Sequence, residues 1–359
     1  MDLNKFISLT KSELISTLLL FVLITALVLS SRLVRLTGSA MEFENSTEII
    51  LSAPGGLNSL ISELQENEIN YNEDELEWAA NILGWKNLRR GRYVFEGNYS
   101  YNSLLSKLAK GIQDPVSVVI LPGIVPQILA DNLADKLNFN SQDFMNALTD
   151  SAYLSEKNLR TEELFGRMYP ETYLIYWTSS PKEVLNKVTR EFNKSVTEIL
   201  QQQADEVGIS IDDALTMASI VEWEAKVEEE KPIISGLYWN RIDRGMRLQA
   251  DPTVNFAVGE RRRLLFEDYK LDHEFNTYLK KGLPPGPVTN PSISSIRAAL
   301  NPEEHDYLYM VANPKGGHFF TRTFEEHIEE SKKWRQWLQQ QYRIKRQRES
   351  EAANNSETR

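Results

Sequence analysis

The feature that most constrains this chain is an uncharged, nearly all-apolar run from Leu14 to Ser31, LISTLLLFVLITALVLSS. As a helix rising ~1.5 Å per residue it reaches roughly 27 Å, close to a bilayer's hydrocarbon thickness, so residues 14–36 are expected to cross a membrane once. A cleaved export signal is the competing reading, with Gly38-Ser39-Ala40 as the processing site, but the apolar stretch is long for that purpose. Lys5 and Lys11 before the run are matched by Arg32 and Arg35 after it, so charge alone does not fix the orientation.

Beyond this run the chain is long enough for two modest domains, and the 41% hydrophobic content of the 359 residues is ordinary for a protein with a buried core. A net charge of -11 excludes a general nucleic-acid binder, which needs a basic face to displace counterions from phosphates. There is no cysteine, so disulfides and thiolate metal sites are excluded. The four histidines, His273, His305, His318 and His327, lack the paired helical spacing of a zinc motif, and neither metal nor cofactor is expected.

The patterning predicts an α+β protein. Residues 46–115 read as a small αβ module: a strand over Glu48–Ala53, a Pro54-Gly55-Gly56 turn, a helix carrying Leu57, Leu60, Ile61 and Leu64, a strand over Arg92–Phe95, and a helix over Ser103–Lys110. Residues 116–342 read as a larger mixed domain. It opens with the strand Val116–Leu121, continues through helices at Val125–Leu137, Ser141–Leu154, Pro181–Glu206 and Ser294–Leu300, and ends in an amphipathic helix from Phe324 to about Tyr342. The run Tyr173, Tyr176, Trp177 suits either a sugar-stacking wall or a core, and Arg261-Arg262-Arg263 either a polyanion contact or a solvated loop. Residues 343–359, dense in charge, are expected to be disordered.

The chemically suggestive stretch is Thr216–Val254. Glu222 comes directly after the apolar run Met217–Val221, and a carboxyl beside apolar surface has its pKa raised, which suits a general acid. Glu224 lies about 200° further round a regular helix, so the two carboxylates should not share a ligand unless the helix ends or bends between them. Asp251, in the polar cluster Gln249–Thr253, is the available second carboxylate for an ordinary glycosidase. Three readings compete: a glycan-cleaving enzyme, a non-catalytic membrane-anchored wall-binding scaffold, and a serine hydrolase. The last is disfavoured by the lack of a G-x-S-x-G elbow.

Four segments, ASIVEWEA, NRIDRGMRLQADPTV, FNTYLKKGLPPGPVTNP and GGHFFTRTFEEH, in this order, resemble the signatures of the endolytic murein transglycosylases, the membrane-bound lytic transglycosylase G or YceG-like family. The stretch GRYVFEGNYSYNSLLSKLAKG resembles a LysM-like glycan-associated module. The resemblance implies a single-pass inner-membrane protein with a cytoplasmic N-terminus over residues 1–13 and an extracytoplasmic catalytic domain. Its substrate would be nascent peptidoglycan strands, cut between MurNAc and GlcNAc without water to leave 1,6-anhydroMurNAc ends, and elongation synthases are its implied partners. It places the catalytic glutamate on Glu222, and Gln249, Asn276, Thr277 and Tyr278 on motif positions read as sugar-binding. Asp251 becomes a positioning group toward substrate, and His318 either contributes to binding or holds its turn. Glu224, Asn240 and Arg247 are read as supporting groups. Two departures stand out: Phe165 where an acidic residue is usual, and Phe275 where a tyrosine is common.

Overall fold

The computed structural model describes residues 10–357. Helix α1 (Lys11–Thr37) opens on a capping box in which the Thr10 hydroxyl accepts from the Glu13 N–H and the Glu13 carboxylate accepts from the Thr10 N–H. It buries no side chain in protein and is long and apolar enough to span a bilayer, with mean hydropathy 2.5 over its most apolar window. The expected cytoplasmic segment, Lys5 included, lies mostly outside the described residues.

The described chain divides into two compact units, one reaching to Val116 and including Ile175–Thr178, the other formed by Ser117–Leu174 and the residues from Ser179 on. In the first, α1 is succeeded by β1 (Met41–Leu51), α2 (Leu57–Glu66), α3 (Glu73–Leu83), β2 (Gly91–Tyr99) and α4 (Tyr101–Lys110). The strands pair antiparallel from Met41 opposite Tyr99 to Leu51 opposite Gly91, with an irregularity between Phe43 and Thr47. Alternation turns Phe43, Ile49, Leu51, Tyr93 and Phe95 inward onto leucines of the three helices. Strand β2 runs on through Gly97, which takes φ +77°. Arg35, in the last turn of α1, lies 3.8 Å over the Trp78 ring and 2.7 Å from the Glu75 carboxylate, which fixes the end of the apolar helix to α3.

The second unit is mostly helical. It runs through β3 (Val116–Val119), α5 (Pro126–Ala134), α6 (Ser141–Leu148), α7 (Ser151–Lys157), α8 (Thr161–Gly166), β4 (Thr172–Ile175), α9 (Pro181–Phe192), α10 (Glu198–Val207) and α11 (Ile211–Glu224). Then come α12 (Lys231–Asp243), α13 (Asp251–Val258), α14 (Ile293–Leu300), β5 (Tyr309–Ala312), β6 (His318–Thr321) and α15 (Phe324–Glu357). Helix α11 is buried on every side from Ala214 to Val221, and α10, α12, α13 and α14 pack round it. That burial explains why the segment reads as a continuous apolar run rather than a stripe. The single helix expected over Ser141–Leu154 is broken at Thr149, and that over Pro181–Glu206 carries a π turn at Asn193–Thr197.

After the proline-rich loop, the Val288 N–H donates to Ser219 Oγ of α11 at 2.9 Å, and Asn290 donates to the carbonyls of Leu121 and Met168. Strands β5 and β6 form a hairpin from Tyr309 opposite Thr321 to Ala312 opposite His318. Its turn needs Gly317 at φ +67°, where a Cβ would run into the Glu230 carboxylate. One expectation is overturned at the C-terminus. Residues 343–357 continue α15 instead of forming a disordered tail, since no glycine or proline occurs after Phe324 and pairs such as Lys345–Glu349, 3.8 Å apart, support the helix.

Candidate active site

Helix α11 ends at Glu224, where Ala225 turns the chain into an extended conformation at φ −75°, ψ 117°. The two glutamates of its last turn therefore serve different surroundings. Glu222, whose side chain is 11% exposed, is occupied by structural bonds. Its Oε2 accepts from the Ser292 N–H at 3.0 Å, Ser292 Oγ at 2.5 Å and Ser295 Oγ at 2.6 Å, all at the start of α14. Lys231 Nζ stands 3.5 Å away and is itself held by Glu228 at 2.5 Å and by Ser292 and Ser294 at 3.0 Å. An anion at a helix N-terminus with an ammonium beside it is a stable arrangement in which this carboxylate oxygen is fully partnered.

Glu224 borders a cavity of about 300 Å³ whose wall includes Tyr238 and Arg241 from α12, Gln249, Asp251, Tyr278 and His318. Its Oε1 accepts from Tyr238 Oη at 3.0 Å. Burial first, and the nearby Asp251 charge second, push its carboxyl up to about 7, while the Tyr238 bond and the Arg241 charge act the other way. Asp251 is the first residue of α13 and accepts from Tyr278 Oη at 2.7 Å and Tyr269 Oη at 3.4 Å. The rings of those tyrosines meet edge to face at 4.6 Å. Burial and the Asp251 charge raise both phenols, Tyr269 to about 12 and Tyr278 further, so both stay protonated donors at neutral pH. The site therefore pairs a carboxyl poised near neutrality with a second carboxylate fixed by two phenols, an arrangement suited to general acid and base catalysis.

The other sequence candidates divide between the cavity and the scaffold. Gln249 lines the cavity and sits in the left-handed region at φ +49°, its N–H donating to the Thr277 carbonyl at 3.2 Å. His318 also lines it, but its Nδ1 and backbone N–H are both engaged by Glu230, at 2.8 and 2.7 Å. Asn276 is fully buried; its Nδ2 donates to the Tyr269 and Leu271 carbonyls and its Oδ1 accepts from the Tyr278 N–H. Thr277 is buried too, accepting from the Ala250 N–H at 3.1 Å and lying 2.8 Å from Thr253 Oγ1. Both shape the wall that presents Tyr278 and are not free to bind sugar. Asn240 donates to the His305 and Tyr307 carbonyls and so steers the chain into β5, while Arg247 is exposed and outside the cavity.

Sequence reasoning missed Tyr238, Arg241 and Tyr269. Tyr238 and Arg241 are three apart on α12 and so share a face, a pairing that helical periodicity alone contains. Arg241 donates through Nε to the Leu308 carbonyl at 2.7 Å and through Nη1 to the Leu248 carbonyl, joining the β5 entry to the Gln249 turn. Phe165 and Phe275, the two departures from the expected pattern, are both buried, and Phe275 packs against Phe256 with centroids 4.2 Å apart. Among the described residues no cluster of three or more histidines and acids could hold a metal.

Residues 52–333 match the YceG-like family. The chain is 26% identical over 313 residues to the endolytic murein transglycosylase of Bacillus subtilis, covering 82% of this chain and 87% of that protein. It is equally 26% identical over 281 residues to a protein of the same name from Streptococcus pneumoniae R6, covering 69% of this chain and 51% of that longer one. The crystal structure of a yceG-like protein from Listeria monocytogenes matches with a TM-score of 0.55 and 26% identity, over 79% of this chain and 98% of that one.

Proposed function

This chain belongs to the YceG-like family and is a transglycosylase enzyme, and from that premise we propose that it cuts peptidoglycan strands internally and without water, using Glu224 as acid and then as base. One observation carries the choice of residue: of the two glutamates ending α11, Glu224 faces the cavity with a carboxyl pushed up to about 7, whereas Glu222 is fastened to α14 and Lys231. This moves the acid from the glutamate that the family resemblance suggested to its neighbour two residues on.

Protonated Glu224 gives its proton to the glycosidic oxygen as the C1–O bond of the muramyl sugar breaks, and the leaving sugar departs with a free hydroxyl. The electron-poor C1 is then attacked by the same sugar's C6 hydroxyl, and the Glu224 carboxylate takes back that hydroxyl's proton. The anhydro ring closes, no water is consumed, and the acid is restored. Asp251, held by Tyr278 and Tyr269, supplies negative charge near the developing cation and keeps Glu224 protonated in the resting site. Since no water needs activating, one titrating carboxyl is sufficient. The apolar α1 would anchor the enzyme beside the membrane where strands grow, with the first compact unit as a LysM-like module and the elongation synthases as neighbours.

A hydrolase using both Glu224 and Asp251 is the second reading, favoured by the presence of both carboxylates at one cavity. Mass spectrometry of digested strands decides: anhydro ends support the transglycosylase, and reducing muramyl ends formed with water refute it. In the same assay Glu224→Gln should abolish product while Glu222→Gln retains it; the reverse result would return the acid to Glu222.

A further inference from the structure

We infer that an aromatic groove between the tip of the β5–β6 hairpin and α15 is a second binding site for the glycan strand, outside the catalytic cavity. The groove encloses about 470 Å³ and is floored by Trp334 and Trp337, with Phe319 of β6 as its other aromatic wall. The two indoles are half-buried and stack on each other with centroids 4.9 Å apart and planes 21° apart, so each covers one face of the other and each leaves only its outer face for a ligand. Phe319 is 41% exposed, which is unusual for a phenylalanine with a hairpin partner on one side and a helix on the other. Polar groups rim the aromatic floor: Lys315 at the hairpin turn, and the Glu330–Lys333 pair, 2.6 Å apart, on α15.

The occupant is indicated by continuity with the catalytic cavity. Both hollows border the β5–β6 hairpin and α15 and share Ala312. Along α15, Phe324 and His327 face the cavity, while Glu330, Trp334 and Trp337, continuing the same helical face at spacings of three and four, border the groove. From His327 to Trp334 the helix advances about 10 Å, a distance that a few linked pyranose rings bridge. A polymer cut internally must extend beyond the reacting bond in both directions. Flat indole faces suit the C–H faces of pyranoses, and the charged rim suits hydroxyl and N-acetyl groups, a chemistry unlike the dry, uncharged face a partner helix requires. This inference rests on the glycan-cleaving reading for the identity of the ligand, though not on the reaction being non-hydrolytic.

The test uses the full chain in detergent and two substrates, long peptidoglycan strands and a purified muramyl tetrasaccharide. Replacing Trp334 and Trp337 together by leucine keeps apolar side chains against the hairpin but removes the flat rings. We expect KM for long strands to rise about tenfold with kcat and tetrasaccharide cleavage unchanged, and phenylalanine at both positions to restore most of the loss. An unchanged KM for long strands, or an equal loss on both substrates, overturns the inference. Strand binding is also measured in the Glu224→Gln background, where no bond is cut. Weaker binding there on loss of the indoles supports the groove even if the wild-type enzyme leaves no anhydro ends, which would refute only the proposed reaction. Undiminished binding refutes the groove.

Discussion

Glu224→Gln should make the protein more stable at alkaline pH while removing its activity. Folding raises this carboxyl from its ordinary 4.5 to about 7, chiefly through burial, so the folded chain holds the proton more tightly than the unfolded chain. Below pH 4.5 the group is neutral in both states, and its full contribution is present. As the pH climbs toward 7 the unfolded chain ionises first, stability falls, and above 7 the entire penalty is in force. The interval between the two values, at about 1.36 kcal/mol per pKa unit, corresponds to about 3 kcal/mol. Water reaching the carboxyl through the open cavity reduces this, giving an expected difference of about 2–3 kcal/mol and about 4–10 °C in melting temperature. Glutamine keeps an oxygen to accept from Tyr238 but cannot ionise. The assay is a pair of thermal melts, wild type and variant, at about pH 5 and about pH 8.5, on either side of the raised carboxyl, monitored by tryptophan fluorescence. The two proteins should nearly coincide in the acidic melt and separate in the alkaline one, with the variant higher. Equal separation in both melts, or a variant less stable in the alkaline one, would show that Glu224 carries no raised pKa and remove the physical ground for its role as acid.

Cleavage by the wild type should decline as the pH passes about 7 and the acid form is lost, and Asp251→Asn should move that decline to lower pH because the Asp251 charge helps hold the proton on Glu224; pH–rate profiles of both proteins check this. Glu222→Ala should cost about 2–3 kcal/mol by denaturant titration, since it strips α14 of its acceptor and takes one of two carboxylates from buried Lys231, yet the product should remain the same chemical species. Gly317→Val should destabilise by at least about 2 kcal/mol, because the position needs a left-handed backbone and its space is filled by the Glu230 carboxylate that anchors His318. A Gly317→Val protein as stable as wild type would show that the hairpin turn can be rebuilt without that geometry.

Long elements with a single strong pattern are legible in the sequence: the apolar run that forms α1 and the leucine-spaced α2 and α4. Helix α3 escapes because its acidic first turn, Glu73, Asp74 and Glu75, hides a short apolar face formed by Leu76, Ala79 and Ala80. The charged C-terminal segment misleads because high charge suggests disorder, while the absence of glycine and proline and a wealth of helix formers favour a helix. At the site, the sequence points to the last turn of α11, and the proposed acid is the second glutamate of that turn where the sequence reading chose the first. Apolar neighbours in sequence precede both Glu222 and Glu224, and only the fold shows that three donors from Ser292 and Ser295 converge on the first. Asn276 and Thr277 mislead in the same way, since a polar residue in a motif looks the same whether it faces a ligand or satisfies a buried backbone group.

The fastening of Glu222 also bears on how such an enzyme can change. One carboxylate oxygen is a shared fulcrum for the end of α11, the start of α12 through Lys231 and the start of α14 through Ser292, and it lies two residues from the proposed acid. No loop intervenes to absorb a tilt, so a shift in the axis of α14 is delivered directly to Glu224. Laboratory selection for altered activity is therefore expected to accumulate substitutions on the buried side of α14, at Ile296 and Ala299, far from any side chain that touches sugar.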